Sequence, residues 1–308
     1  LKINLEDKKT RFIFVEQKSN NMKVETSQEV TNILDKVGLN WRVEKQTILT
    51  SKGIEIPEFS AIIRTDTQVP LSVMGSKYQP YQNEELLNLL ERVSKKVGLE
   101  IHNGGLFGQG QKVYIQLKTD DLKLGKDKVE GYITGINSFD GSTSLGFGNS
   151  TVTISCMNTF FGAYKEVSSK VRHTENMGIK VDEICTRLDK LMVDEKKLFE
   201  RIKRMSEVKM DDKVKDLVVR ALFEVGDKLD LNSEEISTRK RNDISRFYID
   251  LNGEMKGKGD NLWGLFSGVT KYTTHTVGKG EDNTEKKLFG VYGRREREIF
   301  DTLVELVN

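Results

Sequence analysis

The feature that most limits what this chain can fold into is a change in the period of its apolar residues near Ala163. Before that point, short runs rich in Val, Ile, Thr and aromatic residues are separated by glycine-containing turns, the pattern of antiparallel strands. After it, Ile184, Leu188, Leu191, Met192, Leu198, Ile202 and Met205 recur at helical spacing, with charged residues between them. Such spacing puts the apolar side chains on one side of a long helix. The expected fold class is therefore α+β: an antiparallel sheet with a packed helix in the front part, followed by an all-helical rear part. The same reading divides the chain into an arm over 1–27, a sheet domain over 28–165 and a helical domain over 166–308.

Within the arm, Phe12, Phe14 and Val15 suit a short strand or a segment that docks on a neighbour. A short helix is expected from Val30 to Val37, stopped by Gly38, then strands over Leu39–Leu49, Phe59–Thr65 and Pro70–Gly75 as a small meander. Asn83 to Val97 reads as an amphipathic helix closed by Gly98. Strands resume over Leu99–His102, Lys112–Lys118, Glu130–Ser138 and Thr151–Cys156. In the rear, four more helices are expected over Asp212–Val225, Ser233–Tyr248, Asn261–His275 and Gly293–Val307, with loops at Gly253–Gly259 and Gly278–Glu285.

Composition narrows the function classes. The 308 residues carry 49 Lys and Arg against 47 Asp and Glu, a formal net charge of +2, so any nucleic-acid surface must be local. No apolar run approaches the roughly 18 residues of a membrane span, and no signal-like segment is evident, which implies a cytoplasmic protein without a membrane partner. Cys156 and Cys185 lie in apolar surroundings without CxxC spacing, as reduced core thiols do.

Catalytic motifs fail on spacing. In Gly105 to Lys112, Gln111 stands between the last glycine and the lysine, and a strand follows, so a hairpin turn is expected instead of a phosphate loop. Ser72 lacks the preceding glycine of a nucleophile elbow. His102, His173 and His275 have no partner at metal-ligand spacing, so neither a metal nor a cofactor is expected. Asp120, Asp121, Asp211 and Asp212 read as capping residues. The chain is expected not to be an enzyme; the remaining catalytic alternative is a metal-dependent nuclease built from scattered carboxylates.

Several polar clusters are left. Lys77-Tyr78-Gln79-Pro80-Tyr81-Gln82-Asn83 joins a strand to a helix and offers aromatic faces beside a lysine; its tyrosines either stack bases or cover the following helix. Arg172-His173-Thr174 follows the last strand. Arg239-Lys240-Arg241, with Arg246 beyond, reads as a solvated helix face. Trp263, Phe266 and Val269 form a core face, while Lys271, Tyr272 and His275 leave the polar end of that helix open.

The order of these segments resembles a phage- and plasmid-borne family, the domain of unknown function 932. The resemblance is carried by Val73 to Glu84, by Ile136-Asn137-Ser138-Phe139-Asp140-Gly141-Ser142 and by Val152 to Thr159. Arg172-His173-Thr174, Asn261-Leu262-Trp263, and Gly268 to Tyr272 with His275 carry it further. Thr153 departs from the pattern, which has an arginine near that point. More loosely, the front part is similar to the strand-helix core of Rad and Redβ/RecT single-strand annealing proteins. That likeness implies a homo-oligomer, ring or filament, that lays single-stranded DNA along a basic groove in recombination. The candidate DNA contacts are Trp41, Arg42, Lys45, Lys77, Tyr78, Tyr81, Lys112, Arg172 and His173, with cations on phosphates and rings on bases. The alternative is a counter-defence protein that binds a host protein complex.

Overall fold

The computed structural model describes residues 27–125, 127–153, 158–160, 188–226, 230, 233–277 and 290–307. Residues 1–26 of the expected arm, both cysteines, Arg172, His173 and the 278–285 stretch lie outside the described residues.

The fold is α+β, with antiparallel sheets in the front part and helices behind. Helix α1 (Ser27–Lys36) leads into a three-stranded sheet, β1 (Val43–Leu49), β2 (Glu55–Arg64) and β3 (Pro70–Gly75), in that spatial order. Helix α2 (Asn83–Val97) follows, and Gly98 ends it in the left-handed region, at φ 71°. A five-stranded sheet comes next, in the order β4 (Glu100–Phe107), β5 (Lys112–Leu124), β6 (Asp127–Ser138), β7 (Gly146–Thr153) and β8 (Asn158–Phe160). All its described pairings are antiparallel. The rear part comprises α3 (Leu188–Glu207), α4 (Asp212–Phe223), α5 (Thr238–Lys258), α6 (Leu262–Lys271), a π-turn at Tyr272–Thr276 and α7 (Val291–Glu305).

Two apolar cores form. The first gathers Ile33, Trp41, Ile62, Leu86, Leu90, Ile115, Ile133 and Phe147 from α1, both sheets and α2. The second is helical, with Ile202, Val219, Phe247, Phe266 and Leu303 at its centre. The β5–β6 hairpin joins them: Ile115 and Ile133 lie in the first core, while Val129 is in the second and Leu122 and Leu124 pack against it. Glycines on β6 admit the helices that cover it. A Cβ at Gly135 would stand 3.0 Å from Leu90 of α2, and one at Gly131 would collide with Glu195 and Phe199 of α3.

Two local expectations are corrected. Gly253 to Gly259 is expected as a loop, yet α5 runs on to Lys258, because Leu251 and Glu254 are buried and Met255 packs on the helical core. Tertiary packing there outweighs the roughly 1 kcal/mol cost of each helical glycine. Asp120 and Asp121 lie inside β5 rather than at a cap, and Asp121 pairs with Lys118 and Lys128. Asp211 does cap α4, accepting from the Val214 amide at 2.7 Å.

Candidate functional site: a cleft between α5, the π-turn and α7

Of the seven candidate DNA contacts among the described residues, four are buried. Trp41 is buried: its indole donates to the Gly38 carbonyl at 3.0 Å, and the Arg64 guanidinium covers its ring at 4.1 Å. Tyr78 is buried with its hydroxyl donating to the Ser138 carbonyl at 2.8 Å, and Tyr81 is buried with its hydroxyl on the Glu85 carbonyl at 3.1 Å. Lys112 is 6% exposed and faces Asp140 at 3.3 Å. None of these four presents a ring or a charge to solvent; each is taken up by a structural contact.

The motif around them works as a staple. Asn137 of β6 donates to the Tyr81 carbonyl at 2.6 Å, and Asn83 donates to the carbonyls of Leu39 and Trp41. Gln82 exchanges two hydrogen bonds with the Val43 backbone, fixing the start of β1 to α2. Arg42, Lys45 and Lys77 are exposed. Lys45 donates to the Ser76 carbonyl at 2.6 Å, which brings it beside Lys77, while Arg42 faces Glu84 at 3.4 Å. Lys45 and Lys77 thus lie near each other, while Arg42 is drawn to an acid on α2.

A different set of residues encloses a cleft of ≈ 540 Å³: Arg239, Asn242, Asp243 and Arg246 on α5, Tyr272, Thr276 and Val277 at the π-turn, and Tyr292 on α7. The sequence builds each wall. Positions 239, 242, 243 and 246 fall at i, i+3, i+4 and i+7, one stripe of a helix. Ile244, Phe247 and Leu251 on the other side hold α5 to the core. The π-turn is a local widening of the helix end, a geometry found frequently at functional sites. It carries Tyr272 and Thr276 to the same side.

Tyr272 is the anchored member. Its ring meets Phe223 at 5.3 Å and Phe247 at 6.0 Å, both edge-on, and it is 4% exposed. Such edge-to-face contacts fix a ring's direction. Burial, then the charge of Asp243 and the nearby Tyr292, hold its phenol well above the usual value, so the hydroxyl keeps its proton. Among the described residues the hydroxyl has no hydrogen-bond partner. The side chains of Arg239, Asn242 and Tyr292 likewise have none there, whereas Arg246 faces Asp243 at 3.5 Å and Thr276 donates to Asp250 at 2.5 Å.

The electrostatics favour an anion. Helix α5 begins with Arg239, Lys240 and Arg241 and has no acid in its first turn, so cations stand at the positive end of the helix dipole. That arrangement is unfavourable by some tenths of a kcal/mol per charge, about 0.3–1, and an anion reverses it. Lys240 and Arg295 turn instead to the C-terminal end of α4, on the carbonyls of Glu224 and Leu222. Arg239 is left facing the cleft.

Sequence reading missed this site because its walls lie far apart in the chain. It singled out the arginines of α5 and the polar end of α6 separately; only the fold puts them opposite each other. Among the described residues, no group of three or more His, Cys, Asp or Glu is placed to hold a metal. No helix among them is long and apolar enough to cross a membrane.

Residues 70–297 match the family described as "Domain of unknown function (DUF932)". Every residue lining the cleft falls inside that stretch, whereas Trp41, Arg42 and Lys45 fall outside it. No curated protein and no solved structure matches the chain. The matched stretch covers well over half of the sequence, and the chain belongs to the DUF932 family.

Proposed function

We propose that this chain is a phage or mobile-element protein that binds single-stranded DNA as a homo-oligomer, with annealing in recombination as the outcome. The observation that carries the reading is the cleft in which Arg239, Asn242, Tyr272 and Tyr292 offer polar groups with no partner among the described residues. Guanidinium groups suit phosphate, and an aromatic face at the rim suits an unstacked base. Arg239 and Arg246 bind the backbone, with Lys240 and Arg241 adding to the field. Lys45 and Lys77 form a second, exposed basic contact.

Fluorescence anisotropy with a labelled single-stranded oligonucleotide tests this. Charge reversal at Arg239 together with Arg246 is expected to weaken binding by more than about tenfold, since each lost charge-assisted contact is worth about 1.5–3 kcal/mol. Unchanged affinity in a folded double variant removes the cleft from the DNA-binding surface.

A second reading rests on the first sheet. Phe59 and Val73 are 49% and 60% exposed, and the pairing of Ala61 with Val73 puts them on one face. That face favours docking of a protein, a host complex among the candidates. Its test is Phe59→Asp, which abolishes assembly with the partner and leaves oligonucleotide binding intact.

A further inference from the structure

Resting on the reading of the cleft as a DNA site, we infer that it takes one unpaired nucleotide with the base inward and the phosphate at the mouth. The cleft would thereby recognise the base edge that a duplex hides. The inner end is set by Tyr272, nine-tenths buried between Phe223 and Phe247, whose hydroxyl has no hydrogen-bond partner among the described residues. The hydroxyl opens on the cleft, so an acceptor on a ligand takes the place of solvent as its partner. Asp243 lies close enough to act on the same hydroxyl, and its carboxylate accepts hydrogen bonds. Donor and acceptor thus line the same cleft. Every base presents the complement on its Watson–Crick edge, an acceptor atom next to an N–H donor, and proteins read extruded bases through that edge. In a duplex the same atoms are occupied by the opposite strand.

The outer end is cationic. Arg239 and Arg246 lie seven residues apart on one face of α5, about 10 Å along its axis, so they flank the mouth. Tyr292, in the first turn of α7, supplies a partly exposed ring for the base to lie against. At ≈ 540 Å³ the cleft is within the size range of sites for ligands like a nucleotide. Its contacts use features common to all bases, so single strand is separated from double strand without a sequence preference.

The test compares the full chain with Tyr272→Phe, Asp243→Ala and Arg239→Ala against three labelled ligands: an oligothymidylate, the same backbone with abasic sites, and a duplex. The expected order for the unaltered chain is oligothymidylate tighter than abasic strand or duplex by about tenfold, the scale of one or two buried hydrogen bonds. Tyr272→Phe and Asp243→Ala are expected to reduce that preference to about twofold or less while retaining salt-dependent binding to the abasic backbone. Arg239→Ala is expected to weaken all three ligands alike. If the unaltered chain binds abasic and base-bearing strands equally, or if both edge variants keep the preference, base-in binding is wrong while the DNA reading stands. If no oligonucleotide binds even at low salt, the DNA reading itself falls.

Discussion

The carboxylate of Glu195 on α3 occupies the notch that Gly131 leaves in β6, where it accepts a hydrogen bond from Thr119 of the neighbouring strand. Glu195 is 2% exposed, so a helix from the rear part places an acid directly on the front sheet.

Replacing Gly131 by Ala fills that notch. The added methyl meets Thr119, Glu195 and Phe199, so α3 must shift. Overpacking of this kind costs about 1–3 kcal/mol. Urea unfolding of Gly131→Ala is expected to show a lower midpoint of that size; an unchanged midpoint means that α3 does not pack there.

Burial pushes the Glu195 carboxyl up to about 7, with the charge of Asp120 adding and the Thr119 hydrogen bond opposing. Between the ordinary value of 4.5 and about 7, the folded protein holds a proton that the unfolded chain has released. Stability is therefore full at acid pH, falls as pH rises through that window, and levels off above it. The drop is roughly 3 kcal/mol for a shift of this size. Glu195→Gln is expected to flatten the profile measured at pH 5, 6.5 and 8, and to be the more stable protein at pH 8. An equally steep profile in the variant assigns the dependence to another group.

Lys258 ties the β5–β6 hairpin to α5. Its ammonium lies 2.5 Å from Glu254 and 3.4 Å from Asp127, the first residue of β6, and Lys271 faces the other oxygen of Glu254 at 3.2 Å. All but Lys271 are less than one-tenth exposed. Lys258→Met leaves Asp127 buried without its cation, a loss of about 3–5 kcal/mol. Hydrogen exchange is expected to speed up at the hairpin tip first; uniform protection in the variant contradicts the link.

Tyr78→Phe separates the staple from the cleft. It removes the bond to the Ser138 carbonyl and is expected to lower stability by about 1–2 kcal/mol. Oligonucleotide affinity should not change. A loss of affinity without a loss of stability would return Tyr78 to the binding surface.

Local chemistry explains what was legible beforehand. Helix α2 was readable at both ends because its signals are adjacent: the Gln82 amide donates to the Glu85 carboxylate at 2.6 Å, and Gly98 supplies the left-handed stop. The end of α5 was not, since Gly253 and Gly257 look like breakers until the burial of Leu251 and Glu254 is known. The fate of Tyr78 depends on Ser138, sixty residues away, and no local pattern distinguishes a ring that covers a helix from one that meets a base. The cleft was legible only in halves, because Arg239, Tyr272 and Tyr292 meet through the packing of α5 and α7 around α6.

The most direct test of the account is the salt dependence of oligonucleotide affinity. Plotted as the logarithm of the association constant against the logarithm of salt concentration, the unaltered chain is expected to give a steep negative slope. Arg239→Ala should make that slope shallower by about one, the share of a single phosphate contact. Identical slopes for the two proteins would contradict the claim that the α5–α7 cleft holds the DNA backbone.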